Sequence, residues 1–257
     1  APSSTGRRQR IAQLALLSLG HAANDGYINF IAPLWPVVKA QFGLTNTAIG
    51  NITFLWGIVT NFGQPVFGYL ADRHQPRRLM VVATLLSTLV FSFIGWTHSL
   101  AGFLAALGIG GIGVALYHPR AGALSVALSG GRRALGMGLF SAGGTVGFAA
   151  GYLGSPYLHD VTGSMRGLAY ACPVGLITAL LLWVMDPEGR KKDTGQPDLH
   201  LRRDVFPQTR NLLPLLATMS LRSLEWLRTS TNVEHHSRDG GETRLPLNER
   251  SIELNAD

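Results

Sequence analysis

Charge is what this chain has least of. Only 14% of its 257 residues are Asp, Glu, Lys or Arg, against roughly 25% in ordinary soluble domains. The shortage is sharper in the body of the chain, because 12 of the charged residues fall in positions 222–257. This excludes a conventional water-facing shell over residues 1–221. Cysteine is nearly absent as well: Cys172 stands alone, so an internal disulfide framework is excluded. The net charge of +7 comes without a basic helix or any interleaving of basic and aromatic residues. That argues against nucleic acid as a partner. No cofactor and no enzymatic role is expected. The adjacent His235-His236 is not a ligand set, and no metal site is expected.

What is abundant is apolar length. A helix crossing the hydrocarbon core needs about 20 mostly apolar residues. Six stretches qualify, at 11–38, 49–71, 79–96, 100–117, 135–156 and 167–185. They are apolar all round rather than along one stripe, which suits lipid contact better than a surface helix. A soluble core of six such helices would require a very large polar shell, and the composition does not supply one. The first run is too long for a cleaved signal and carries polar residues in its middle. The sequence therefore predicts an all-α polytopic membrane bundle of six transmembrane helices over residues 11–185, preceded by a segment at 1–10.

The basic residues between these runs alternate. Arg7, Arg8 and Arg10 precede the first; only Lys39 separates the first two. Arg73, Arg77 and Arg78 follow the second run, and the next connection has no Lys or Arg. Arg120, Arg132 and Arg133 come next, then Arg166 alone, then Arg190, Lys191, Lys192, Arg202, Arg203 and Arg210. By the positive-inside rule, the N-terminus, the even-numbered connections and residues 186–211 are expected on the cytoplasmic side of the plasma (inner) membrane.

The second connection carries a pattern: Gly68, three residues, Asp72-Arg73, then the pair Arg77-Arg78. It resembles the loop signature joining the second and third helices of the major facilitator superfamily. Gln75-Pro76 depart from it, standing where Gly and a basic residue are usual. Gly68 would allow close helix approach, Asp72 would face the positive end of another helix, and the arginines would anchor at anionic headgroups. "LGHAANDGY", "FGLTNTAIG", "QPVFGYLADR", "YHP" and "SGGRRALGMGLFSAGGTVG" look like the fosmidomycin-resistance branch, over residues from about 15 to 185. The resemblance implies proton-driven efflux of a drug or small metabolite. The arginine that many drug:proton antiporters carry early in the fourth helix is missing; Arg120 lies at the far end of that run.

His21, Asn24 and Asp25 interrupt an apolar run. A charge at membrane depth costs about 2.5–3.5 kcal/mol on insertion scales, and residues of this kind by default mark functional positions. His21 and Asp25 are four apart and share a helix face. Two readings stand, a proton relay or a structural polar network. His118, Pro119 and Arg120 close the fourth run. They either contribute with the first helix to a shared central cavity or sit at the interface with Arg120 snorkelling. Gln64 is a further candidate for the cavity, and Gln64-Pro65 is expected to bend the second helix, for gating or for packing. Gly143, Gly147 and Gly151 recur every four residues, the spacing of close helix packing, with Pro156 expected to close the helix. The antiporter branches also carry a Gly-rich fifth helix.

A seventh apolar run, 212–221, is too short to span. Residues 222–257 are polar, without periodicity, and expected to be disordered. A full carrier of this superfamily needs a second six-helix half, so the chain reads as an N-terminal half, with a truncated or frame-shifted end. The leading expectation is proton-coupled efflux, with lipids, protons and a small-molecule substrate as partners, and a second half or another copy completing the carrier. The alternative is a half-bundle that transports nothing, or a partner subunit.

Overall fold

The structure, a computed structural model, describes residues 4–74, 78–185 and 187. Every element among them is helical. Helix α1 runs Ser4–Ile28. Its end is set locally: Asn29 Nδ2 donates to the Asp25 carbonyl at 2.8 Å, and Pro33 and Pro36 follow. Proline lacks the N–H that would continue a helix and clashes with the turn before it. The stretch 11–38 is therefore not one spanning helix. The chain turns, passes through a 3-10 turn at Ala32–Leu34, and resumes as the short α2, Trp35–Phe42, closed by left-handed Gly43.

Helix α3 covers Asn46–His74 and runs through Pro65; Thr45 Oγ1 caps it by accepting from Ala48 N at 3.1 Å. Helix α4 is Leu79–Phe93, extended by a 3-10 turn at Ile94–Trp96. Helix α5, Leu100–Leu128, starts at a Ser99 cap. Helix α6 is Arg133–Thr162, closed by left-handed Gly163. A 3-10 stretch, Met165–Ala171, leads into α7, Cys172–Met185.

Two sequence boundaries need correction. Helix α5 does not stop at Tyr117 but continues through Pro119 to Leu128. Proline removes one helix hydrogen bond, while Ala121, Ala123, Leu124, Ala127 and Leu128 beyond it are strong helix formers. Beyond the proline, Ser125 Oγ bonds back to the Ala121 carbonyl at 2.8 Å. Arg120 is consequently inside a helix, not in a connection. Likewise α6 passes Pro156 and ends only at Gly163. The seventh run, the polar tail and Arg77 lie outside the described residues.

Among the described residues, four helical stretches are long and apolar enough to cross a membrane: Leu79–Trp96, Leu100–Leu128, Arg133–Thr162 and Met165–Met185. Helices α1 and α3 have the length, at 25 and 29 residues, without the apolarity. Ser18, His21, Asn24 and Asp25 interrupt α1; Asn51, Thr60, Asn61 and Gln64 interrupt α3. Large apolar side chains point outward along α6 and α7, including Val146, Leu153, Val161, Ile177, Leu180 and Val184. A soluble monomer does not tolerate an apolar surface of that extent; a bilayer does. This is an integral membrane protein.

Inside, two apolar clusters form. One gathers around Tyr27, Ile31, Phe91 and Phe103, the other around Leu17, Met80, Tyr117 and Phe140. Helix α1 reaches both, and His21 falls between its contributions to the two. It lies directly on α6. A Cβ placed on Gly143, Gly147 or Gly151 would sit 2.3, 2.0 and 2.0 Å from the carbonyl oxygens of Ser18, Ala22 and Gly26. Only residues without side chains permit that approach. It fixes how α1 is rotated, and so which of its polar residues face which neighbour.

Candidate functional site

Helix α1 turns Asn24 and Asp25 in different directions. Asn24 is fully buried against α4. Its Nδ2 donates to Gly20 O at 2.8 Å and to Thr84 Oγ1 at 3.1 Å, and its Oδ1 accepts from Ser87 Oγ at 2.7 Å. This corrects the grouping of Asn24 with a cavity: it fastens two helices. Interhelical hydrogen bonds in membranes average about 0.6 kcal/mol, so its two bonds to α4 contribute about 1 kcal/mol. Thr84 and Ser87 are partners that periodicity in α1 could not reveal.

Asp25 faces the other way, toward α5 and α6. Its Oδ1 lies 2.9 Å from His118 Nε2 and its Oδ2 lies 3.2 Å from His21 Nε2. The two Nε2 atoms are themselves 3.1 Å apart. The opposite nitrogen of each ring is committed elsewhere. His21 Nδ1 donates to the Phe140 carbonyl and His118 Nδ1 to the Val114 carbonyl, each at 2.7 Å. A carbonyl only accepts, so both rings carry hydrogen on Nδ1. In the neutral rings both Nε2 atoms are then acceptors, and they meet a third acceptor, the carboxylate. Three acceptors at these distances repel unless they share a cation. One added proton converts the repulsion into a hydrogen bond.

The surroundings hold the cluster in place. The Phe140 ring stacks on His21, with centroids 4.0 Å apart and planes 16° from parallel. Gly144 lies against both α1 residues: a Cβ there would be 2.5 Å from His21 Cε1 and 2.7 Å from Asp25 Oδ2. Phe140 carried no sequence signal, and Gly144 only its place in the Gly143-Gly144 pair. Access is partial, with side-chain exposures of 10% for His21, 19% for His118 and 22% for Asp25.

The remaining candidate residues sit apart. Gln64 is half-buried on α3 and is not among the cluster's partners. Arg120 is half-buried on α5, two residues past His118. That is about 200° around the helix, pointing away from it. In the loop motif, Gly68 meets α5, where a Cβ would be 3.2 Å from Pro119 Cβ. Exposed Arg73 donates to Tyr69 Oη at 3.3 Å. The Asp72 side chain lies outside the described part. Arg78, at φ 61°, places its guanidinium 3.2 Å from the centroid of the Trp183 ring on α7. The sequence suggested only headgroups for it; a cation over an indole face contributes about 0.5–2 kcal/mol.

The helices and outward apolar surface define a polytopic membrane protein, and a partly buried His-Asp-His cluster among them is the kind of group found where solutes or ions cross. Residues 16–231 match the Major Facilitator Superfamily, and the chain belongs to that family of membrane transporters. It is 28% identical to the fosmidomycin resistance protein of Escherichia coli (strain K12) over 153 residues, 60% of this chain and 38% of that protein. It is 23% identical to YfnC of Bacillus subtilis (strain 168), an uncharacterized MFS-type transporter, over 171 residues, 66% of this chain and 42% of that protein. The chain thus spans about two fifths of the length of these curated relatives.

Proposed function

We propose that this chain forms one six-helix half, the N-terminal one, of a proton-coupled efflux carrier for a small molecule or drug. The carrying observation is the convergence of His21, Asp25 and His118, three acceptors that call for a shared cation. In this reading Asp25 takes a proton from one side of the membrane and passes it on as substrate moves. The two imidazoles hold and relay it, and Phe140 and Gly144 keep the geometry. The likeness to a fosmidomycin resistance protein makes fosmidomycin the first compound to test. The chain in liposomes, with a pH-sensitive dye inside, should show proton movement on addition of substrate. No movement with fosmidomycin or a panel of other drugs would defeat transport by this chain.

The six crossings are α1, α3, α4, α5, α6 and α7; α1 counts despite its polarity because His21 and Asn24 are buried against partners, and α3 by its length of 29 residues. The N-terminus is cytoplasmic in the plasma (inner) membrane. Supporting this sidedness, Arg7, Arg10 and Arg132 line one hollow, whereas Gln41, His98, His159 and Arg166 line another. A cysteine at Gly163 should label from outside intact cells, and one at Gly131 should not. The opposite pattern would invert the orientation. The second reading is a half-bundle that transports nothing by itself, or a partner subunit for another half or a second copy. A strictly monomeric mass in detergent, with no substrate-driven flux, would select it.

A further inference from the structure

We propose that His21, Asp25 and His118 also form a binding site for a divalent transition metal of zinc's chemistry, with α1 and α5 as its two walls. A tetrahedral zinc ion with bonds of 2.0–2.1 Å holds its ligand atoms about 3.3 Å apart. Here the two Nε2 atoms are 3.1 Å apart, His21 Nε2 is 3.2 Å from Asp25 Oδ2 and His118 Nε2 is 2.9 Å from Asp25 Oδ1, so the two carboxylate oxygens lie one against each ring and the ion would be met by either or both. An expansion of a few tenths of an ångström accommodates the ion. The three ligand atoms come from separate side chains and lie within 4.8 Å of one another.

Histidine ligands to a metal almost always donate their other ring N–H to a carbonyl or carboxylate. Both rings do so here, to Phe140 and Val114 at 2.7 Å. This fixes both Nε2 lone pairs toward the carboxylate without help from any metal. The donor set of two imidazoles and one carboxylate suits zinc, cobalt, nickel and copper. Magnesium and calcium prefer oxygen ligands throughout. The partial exposure of Asp25 and His118 leaves room for a fourth ligand such as water.

The test uses the purified 257-residue chain in detergent, carrying an affinity tag without histidine, titrated with cobalt(II). We expect the visible ligand-field bands of four-coordinate cobalt at one ion per chain, displaced by zinc. Zinc should also raise the thermal midpoint, since an ion bound only by the folded state stabilises it. His118→Ala should weaken binding by more than about 10-fold, because loss of outer-shell partners alone costs 10–100-fold. His118→Cys should keep the metal and add a thiolate-to-cobalt charge-transfer band. The native Cys172 is buried, and the unaltered chain controls for it. Replacing His235 and His236 with alanine should change nothing.

Absence of bands and of a zinc-induced thermal shift in the unaltered chain would overturn the proposal. So would bands that survive His118→Ala, or bands in His118→Cys without the charge-transfer feature. None of these readouts involves transport, so the metal site and the carrier reading stand or fall separately.

Discussion

Replacing Gly147 with leucine is expected to push α1 off α6 and leave little monodisperse protein in mild detergent. The Cβ alone would stand 2.0 Å from the Ala22 carbonyl oxygen and 2.5 Å from Ala22 Cα. Those atoms are backbone, so no side chain can swing aside. Overpacking that side chains can absorb costs about 1–3 kcal/mol; here the helix itself must shift, and the cost lies at or above that range. The neighbouring contacts of Gly143 and Gly151 would open with it. In a bilayer little replaces them, because packing rather than water exclusion holds helices together there. The cluster would suffer too, since Phe140 and Gly144 approach His21 from the same helix. Gly154 is the control, with nothing within 4 Å of its Cβ position. Size-exclusion profiles and thermal midpoints of Gly147→Leu and Gly154→Leu decide the matter. Equal behaviour would mean that α1 and α6 are not in this contact.

Asp25→Asn is expected to reduce substrate-driven proton movement in liposomes to background, with expression and helicity retained. The substitution is close to isosteric. Its amide brings an N–H donor to the imidazole Nε2 atoms, so the cluster is satisfied without an added cation. It also removes the group that exchanges a proton. His118→Gln should share the defect, since it keeps a polar side chain and loses the titrating ring. Dye-reported proton flux, normalised to protein incorporated, is the measurement. If Asp25→Asn moved protons as the unaltered chain does, the cluster would be a fastening between α1 and α5 and nothing more.

What the sequence determined by itself was the material of the fold. Apolar length is a local property, and it marked the helices and the membrane setting directly. The run 79–96 coincides with a crossing stretch, Leu79–Trp96, because Arg78 and Thr97 bound it in sequence. Helical periodicity likewise put His21 and Asp25 on one face. It did not mark where helices stop at proline. Pro33 and Pro36 stand in the first turns of the elements after the break that follows α1, while Pro119 and Pro156 were passed through, since one lost hydrogen bond is tolerated inside a long helix.

Only the tertiary structure decided which polar residues meet. Asn24 and Asp25 are neighbours in sequence, yet one bonds α4 and the other reaches α5. Their division follows from the rotation of α1, set by glycines of α6 more than a hundred residues away. His118 lies 93 positions from Asp25, and no spacing rule connects them. The contact exists because glycine lets backbone touch backbone, and that approach leaves His21, Asp25 and His118 facing one another.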